Sequence, residues 1–279
     1  MLELLSPAGS MESVTAAVQN GANAVYLGYG DFNARRNAKN FTREEVAAAV
    51  SYCHLRGAKV YLTLNKLELL MQQAHVDPSI RPVVAAAAQV AGEISDMGVD
   101  AVIVQDLGVA RMLHQVAPQL ALHASTQMTV HSLDGVKECA KLGFTRAVLS
   151  RELSRDQIRY ICQNSPIEIE TFAHGALCMC YSGQCYLSSV IGGRSGNRGL
   201  CAQPCRLKYG WGNRANEYPL SLKDMSLADY LQELEEMGVC CLKIEGRMKR
   251  PEYVAIVTGI YARAIREGRS PTPEELEQL

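Results

Sequence analysis

Gly98-Val-Asp-Ala-Val-Ile-Val, residues 98–104, is the clearest copy of a repeat from which the architecture follows. A helix-like segment precedes the glycine, and a short run of β-branched residues comes after it. Glycine ends helices because it enters the left-handed conformation at little cost. The apolar run that follows has the composition of a strand buried on both faces, as in parallel sheets. The same pattern recurs in segments that begin at Gly21, Gly57, Gly143 and Gly238.

Eight strands are predicted when the less regular apolar runs are added to this repeat. Helical patterns fill the gaps between them, and Ser154-Arg-Asp-Gln has the form of a capping box at a helix start. Eight β–α units predict a (β/α)8 barrel, a TIM-like α/β fold in regular or distorted form. An open doubly wound sheet is the alternative. The predicted strands are 2–6, 24–28, 59–65, 101–105, 120–125, 146–150, 167–173 and 241–245.

Length, composition and charge limit the number of domains, the partners and the location that we expect. The chain has 279 residues, 48% of them hydrophobic, which is enough for a single barrel domain over 1–279. Its net charge is −1, so no global field draws it to nucleic acid or to a membrane. It has no apolar run of about eighteen residues, so we expect no membrane partner. Residues 1–7 lack the features of a secretory signal, so we expect a cytoplasmic protein with reduced thiols.

The seventh unit departs from the repeat. Residues 175–218 show no clear helical period, and a loop of that length is usually functional. This Cys-rich insertion carries five of the ten cysteines between Cys178 and Cys205. In a cytosolic protein, such crowding favours metal binding or catalysis over a disulfide framework.

The same region is locally basic. It has no Asp or Glu between Thr171 and Asn216, but it contains several arginines, including Arg194 and Arg198. A basic loop on a nearly neutral protein suits an anionic partner. A solvated face balanced by acids elsewhere explains the pattern equally well.

Polar residues follow nearly every predicted strand. In barrels of this kind the chemistry sits at the carboxyl ends of the strands, although loop entries are polar in most proteins. At these ends we expect substrate-binding residues at Arg35, Asn65 and Gln127. The candidate catalytic residues there are Asp106, Glu152, His174, Glu245 and Arg247.

The four best-separated sulfurs of the insertion have the spacing C-x6-C-x15-C-x3-C, at Cys178, Cys185, Cys201 and Cys205. Structural zinc usually uses paired C-x2-C knuckles, and this insertion has none. An iron–sulfur cluster needs four thiolates but tolerates looser spacing. A nucleophilic cysteine with His174 as its base is a third possibility. Spacing alone leaves all three open.

Other titratable residues have simpler interpretations. Cys53, Cys139 and Cys162 fall in helical segments and are expected to be small buried hydrophobes. Glu168 and Glu170 lie on the same face of a predicted strand. A carboxylate there needs a partner, and Lys243 on the neighbouring strand is the candidate.

Two segments, one that runs from the seventh strand into the insertion and one within the insertion, carry a family resemblance. Glu170-Thr-Phe-Ala-His-Gly-Ala-Leu-Cys and Tyr181-Ser-Gly-Gln-Cys-Tyr-Leu-Ser resemble the signature of the U32 peptidase family, the collagenase-like proteins. Further blocks extend the resemblance over essentially the whole chain. They are Leu5-Ser-Pro-Ala-Gly, Phe32-Asn-Ala-Arg, Gly199-Leu-Cys-Ala-Gln-Pro-Cys-Arg, Leu220-Ser-Leu-Lys-Asp-Met and Leu242-Lys-Ile-Glu-Gly-Arg-Met-Lys.

The resemblance implies two kinds of activity. The family is named for proteolysis, whereas better-understood relatives hydroxylate a base in tRNA or rRNA, or the ubiquinone ring. The ubiquinone relatives hold a four-iron cluster on four cysteines, and prephenate is implicated as an oxygen donor in the group.

Carried onto this chain, the resemblance assigns three cluster ligands, Cys178, Cys185 and Cys201. Some relatives have a further cysteine where this chain has Ser226. We therefore favour Cys205 as the fourth ligand, because the C-x3-C spacing supplies ligands in one branch of the family. Cys180 is the alternative.

We expect an enzyme with a [4Fe–4S] cluster that hydroxylates a base in rRNA or tRNA. Arg194 and Arg198 would contact phosphates, and Tyr181 would stack on an unpaired base. One alternative is a U32-type peptidase acting on protein, although the H-E-x-x-H and G-x-S-x-G motifs are missing. Another is a non-catalytic RNA-binding or assembly module stabilised by zinc. A homo- or hetero-oligomer is compatible with each. Many relatives continue past the segment that matches the end of this chain. We therefore expect either a naturally short member of the family or the N-terminal part of a longer protein.

Overall fold

The computed structural model describes residues 2–30, 40–64, 81–196, 200–212 and 214–279. Within these ranges a parallel barrel is surrounded by helices. The first seven barrel strands are β1 (Glu3–Pro7), β2 (Ala24–Gly28), β3 (Lys59–Leu64), β4 (Ala101–Val104), β5 (Ala121–Ala124), β6 (Arg146–Val148) and β7 (Glu168–Ala176). Three short strands follow, β8 (Tyr209–Trp211), β9 (Arg214–Glu217) and β10 (Asp224–Ser226), and then the eighth barrel strand, β11 (Cys241–Ile244).

The helices alternate with these strands. They are α1 (Met11–Gln19), α2 (Arg43–His54), α3 (Arg81–Asp96), α4 (Leu107–Val116), α5 (Leu133–Lys141), α6 (Arg155–Asn164), α7 (Leu187–Gly192), α8 (Leu231–Met237), α9 (Pro251–Glu267) and α10 (Pro273–Gln278). The predicted capping box at the start of α6 is confirmed, with Ser154 and Gln157 each accepting from the other's backbone N–H.

The strand order shows that the barrel is closed. The order is β7-β11-β1-β2-β3-β4-β5-β6, and β6 pairs back onto β7. Every one of these neighbouring pairs is parallel. The (β/α)8 prediction is therefore confirmed, and the open sheet is excluded.

The barrel interior holds both a small apolar cluster and an ion network. The apolar part includes Leu5, Tyr26, Tyr61 and Ile103, all buried. The larger core lies between the strands and the outer helices, where the apolar face of each helix covers the sheet. No helix in the described ranges is both long and apolar enough to cross a membrane.

The segment after β7 contains more structure than the sequence indicates. The strand β7 runs to Ala176, three residues past its predicted end, because β10 pairs antiparallel with its last residues. The six-residue helix α7 and the β8–β9 hairpin lie within the predicted loop. Short periodic elements of this kind are hard to recognise in a Gly-rich stretch. We call residues 177–223 the cysteine excursion.

Candidate functional site

His174 lies near the carboxyl end of β7 and is buried. Its Nδ1 is 3.4 Å from the Tyr261 hydroxyl, which also donates to the Ala173 carbonyl at 2.9 Å. Burial lowers the pKa of His174, Asp224 opposes this, and Lys249 lowers it further. The imidazole is therefore neutral near pH 7 and is able to accept a proton.

Glu245 and Arg247 follow β11 at the same end of the barrel. The Glu245 N–H donates to the His174 carbonyl at 2.8 Å. Arg247 is buried, and its Nη1 donates to Thr63 Oγ1 at 2.8 Å, across the barrel on β3. Three of the predicted residues, His174, Glu245 and Arg247, thus come together at the carboxyl mouth.

Asp106 and Glu152 have structural contacts that compete with a catalytic role. Asp106 caps α4, with its Oδ1 accepting from the Val109 N–H at 2.8 Å. Glu152 accepts from both the N–H and the hydroxyl of Ser182, at 3.1 and 2.9 Å. Their catalytic roles remain predictions, because these bonds already explain why a carboxylate stands at each position.

Gln127 has an unsatisfied acceptor. It lies in the short 3-10 helix Thr126–Met128 after β5, and its buried Oε1 has no hydrogen-bond partner within the described part of the chain. Thr126 Oγ1 is also buried without a hydrogen-bond partner in the described part of the chain. Buried polar atoms are nearly always paired, so these two atoms point to a bound molecule or water. The predicted substrate-binding role of Gln127 fits this geometry.

Ser182 anchors the cysteine excursion to the barrel. Besides Glu152, its hydroxyl meets the Arg151 N–H at 3.3 Å, and its carbonyl accepts from Thr129 Oγ1 at 2.7 Å. Arg151 also reaches the Ala176 carbonyl through Nη1 at 2.9 Å. We call Thr129, Arg151, Glu152 and Ser182 the Ser182 clamp. Sequence reasoning missed Thr129 and Ser182, since neither residue type signals such a role.

The four predicted sulfurs lie close enough to affect one another. Burial raises the pKa of the Cys205 thiol, Arg206 lowers it, and Cys178, Cys201 and Cys185 each raise it. Gly196 packs close to two of these cysteines. A Cβ added at Gly196 would lie 3.4 Å from the Cys185 carbonyl oxygen and 3.7 Å from Cys201 Cβ.

Hydrogen bonds point at one of these sulfurs. The Gln203 N–H donates to Cys201 Sγ at 3.3 Å, and the Ser188 hydroxyl lies 3.9 Å from it. Backbone N–H groups aimed at sulfur are the interactions that tune iron–sulfur sites.

The arrangement of the sulfurs is loose. Across the described ranges, no three His, Cys, Asp or Glu side chains form a ready-made metal site. All ten cysteines are free thiols. Burial raises the pKa of Cys180, and Cys185 raises it further, so Cys180 also lies in this group. Thiols grouped on one segment are the donor type that binds zinc or an iron–sulfur cluster, but the described side chains are not arranged around one centre.

The remaining predicted residues lie on the surface or outside the described part of the chain. Tyr181 and Arg194 are exposed on the cysteine excursion. Arg35, Asn65 and Arg198 fall outside the described residues.

The closed parallel barrel makes this a TIM-barrel protein, and five of its cysteines lie in the segment that follows the seventh barrel strand. The chain belongs to peptidase family U32, whose profile matches residues 9–278. A solved structure described as the U32 peptidase Mk0906 shares the fold, with a TM-score of 0.60 and 15% identity over 88% of this chain and 94% of that chain.

Two curated relatives have names that concern RNA. The chain is 41% identical over 266 residues to a 23S rRNA 5-hydroxycytidine synthase of Escherichia coli, covering 93% of this chain and 38% of that protein. It is 36% identical over 275 residues to tRNA hydroxylation protein P1 of Bacillus subtilis, covering 94% of this chain and 63% of that protein. The chain thus spans less than two thirds of each relative's length.

Proposed function

We propose that this protein hydroxylates a base in RNA. The observation that carries the proposal is the similarity to two proteins named for RNA hydroxylation, which extends over nearly the whole chain. An RNA substrate also agrees with a cytoplasmic location. The oxygen donor expected from the family resemblance is prephenate.

A [4Fe–4S] cluster held by Cys178, Cys185, Cys201 and Cys205 is the second part of the proposal. Its support is that Cys178, Cys185 and Cys201 each raise the pKa of the Cys205 thiol, and that a backbone N–H group is directed at Cys201. When bound, such a cluster supplies electron transfer or Lewis-acid activation of an oxygen donor.

The residues at the barrel mouth would handle protons and orient the substrate. Neutral His174 would accept a proton, with Tyr261 beside its Nδ1. Arg247, held by Thr63, would attract an anionic group. The side-chain oxygen of Gln127, Oε1, which has no described partner, would accept a hydrogen bond from an amino group or ring N–H of a base.

The surface of the cysteine excursion suits a single-stranded nucleic acid. Tyr181 and Tyr186 are 68% and 66% exposed, so their rings are available for stacking on unpaired bases. Arg194 is exposed in a stretch without acids, where it would contact phosphate.

Peptide cleavage is the second candidate, favoured by the description of the family itself. The His174 ring packs against the rings of Tyr261 and Tyr253, and the Tyr261 hydroxyl is 3.4 Å from both His174 Nδ1 and Ser226 Oγ. No described hydrogen bond joins the His174 ring directly to a serine or cysteine, which is the contact that a serine or cysteine peptidase requires. RNA hydroxylation is therefore the better supported of the two.

Metal analysis separates the cluster from its alternatives. Protein purified without oxygen should be brown and hold about four irons per chain. Stoichiometric zinc without iron would instead identify a structural zinc module. Peptide hydrolysis by metal-free protein would favour the peptidase.

Mass analysis of RNA tests the reaction. A deletion strain should lack one hydroxylated nucleoside in rRNA or tRNA, and the gene supplied in trans should restore it. A His174→Gln gene should restore it poorly, whereas a Ser51→Ala gene, changed on the exposed face of α2, should restore it fully. Unchanged rRNA and tRNA in the deletion strain would exclude the proposed reaction.

A further inference from the structure

A cavity of about 350 Å³ lies outside the barrel, between the β6–β7 wall and helices α6 and α8. This volume is within the range of small-molecule sites. None of the residues assigned above to the cluster or to the chemistry lines it. Its walls are mainly apolar, with Leu153, Ile158, Phe172, Met225, Leu234 and Met237 among them.

Three polar atoms at this cavity are buried without partners. Ser150 and Thr171 line it and are 3% and 4% exposed. Their hydroxyl oxygens, and Nε of Arg151 beside them, have no hydrogen-bond partner in the parts of the chain that the structure describes. Since buried polar groups are almost always paired, three unpaired atoms in residues that line one cavity favour a bound partner there.

The chemistry of the three groups determines which kind of partner would pair with them. An arginine Nε–H is only a donor, and both hydroxyls are able to donate, so the partner that suits all three is a hydrogen-bond acceptor. Arg151 is held in place, because its Nη1 donates to the Ala176 carbonyl at 2.9 Å and its guanidinium lies 4.8 Å from the Phe172 ring centre.

Charge favours an anionic acceptor. The other charged residues of the lining are Arg155 and Glu233, which pair with each other at 3.3 Å. The charge of Arg151 is therefore left uncompensated within the lining. Arginine binds carboxylates through short, charge-assisted hydrogen bonds, which makes a carboxylate the best head group.

We propose that this cavity binds a small monocarboxylate with an aromatic or branched apolar body. The carboxylate accepts hydrogen bonds from Ser150, Arg151 and Thr171. The body packs against Ile158 and the methionine and leucine side chains of α8 and β10. This site does not involve the cysteines, so it stands independently of the proposed RNA hydroxylation.

Calorimetry on the intact protein tests the site with phenylacetate as the probe. We expect saturable binding of one phenylacetate per chain and much weaker binding of ethylbenzene, which has the same ring without the head group. Ser150→Ala and Thr171→Val should each weaken phenylacetate binding about tenfold or more, because each removes a hydrogen bond to a charged group. Ser51→Ala is the matched control, on α2 at the opposite side of the barrel, and should leave binding unchanged.

Methionine-methyl NMR provides a second measurement that does not depend on variants. Phenylacetate should shift the methyl signals of Met225 and Met237, which line the cavity, and leave that of exposed Met179 in place. The proposal is overturned if phenylacetate does not bind, or if it binds without shifting Met225 and Met237. Equal affinity for ethylbenzene, or full affinity in both hydroxyl variants, would overturn the assignment of the head group.

Discussion

Thr129 and Gln203 are the only described non-glycine residues with a left-handed backbone, at φ 58° and 54°. Such a conformation costs on the order of 1–3 kcal/mol and persists only where its surroundings enforce it. Thr129 bonds to Ser182 and accepts from Gln184 Nε2 at 2.8 Å, whereas the Gln203 N–H bonds to Cys201. Both strained residues therefore help to position the cysteine excursion. Their residue types do not predict this role.

His123 gives a pH dependence at the residue scale. Burial lowers its pKa well below the usual value, as do Arg146, Lys243 and Lys59. In the unfolded chain its pKa returns to about 6.5, so below that pH only the unfolded state takes up the proton. Stability should therefore fall as the pH falls, by about 1 kcal/mol between pH 6.5 and 5.5.

Urea unfolding at a series of pH values measures this effect. His123→Gln should flatten the profile, leaving the smaller dependence that the lowered pKa of His174 produces in the same direction. Ser51→Ala, at an exposed position on α2, serves as the control and should keep the wild-type slope. A parallel fall in wild type and His123→Gln would contradict the prediction.

The cluster ligands make a second residue-scale prediction. Cys185→Ser should abolish iron binding, because a serine hydroxyl stays protonated and is a much weaker ligand for cluster iron than a thiolate. Iron content after anaerobic purification measures it. Cys139→Ser, on the buried face of α5, is the control and should retain iron. Comparing Cys205→Ser with Cys180→Ser then identifies the fourth ligand, which we expect to be Cys205. Normal iron in Cys185→Ser would refute the ligand set.

At the scale of elements, the cysteine excursion depends on close backbone contacts rather than on regular structure. The Ser182 clamp joins it to the loops after β5 and β6. Gly183 follows the clamp with φ +75°, and a Cβ there would lie 2.5 Å from the Gln127 carbonyl oxygen. A side chain at this position would push the excursion away from the barrel.

Gly183→Ala should therefore destabilise the protein more than a matched glycine change. Gly193 has a similar φ of +64°, but a Cβ there would have no described atom within 4 Å. Gly193→Ala should cost only the left-handed penalty of about 1 kcal/mol. Gly183→Ala should cost at least about 1 kcal/mol more, because its Cβ also meets a backbone atom that cannot move freely.

Urea unfolding and iron retention are the two measurements for this pair. Gly183→Ala should also lose iron, whereas Gly193→Ala should keep it. Equal effects of the two changes would mean that the contact with Gln127 does not position the excursion.

At the scale of the whole molecule, an ion network crosses the barrel interior. Arg146 on β6 lies 2.6 Å from Glu3 on β1 and 2.7 Å from Glu168 on β7. Buried Glu170 lies 3.5 Å from Arg146 and 3.0 Å from Lys243 on β11. The predicted partner Lys243 is thus confirmed for Glu170, whereas Glu168 pairs with Arg146 instead. The network connects strands that are far apart in the chain.

Removing the centre of this network should destabilise the barrel strongly. Arg146→Met leaves Glu3 and Glu170 without their shared partner, and breaking a buried pair in this way costs about 3–5 kcal/mol. Lys141→Met is the control, since it removes only an exposed, solvent-screened ion pair with Glu138 that is 2.6 Å long, so it should have little effect on stability. Chemical denaturation measures both variants. A loss below about 1 kcal/mol for Arg146→Met would show that the network is not needed for stability.

Local pattern alone was enough to specify the barrel, its eight strands and the concentration of sulfur after the seventh. Each of these depends on neighbours along the chain: a glycine that ends a helix, a β-branched run that pairs as a strand, and cysteines a few residues apart.

Long-range packing had to bring together the parts of the site that are distant in sequence. Arg247 meets Thr63 across the barrel, and Thr129 reaches Ser182 over 53 positions. The same packing leaves Ser150 and Thr171 facing a cavity between two helices. These contacts depend on closure of the barrel and on the left-handed backbone at Thr129. No short stretch of sequence determines either property.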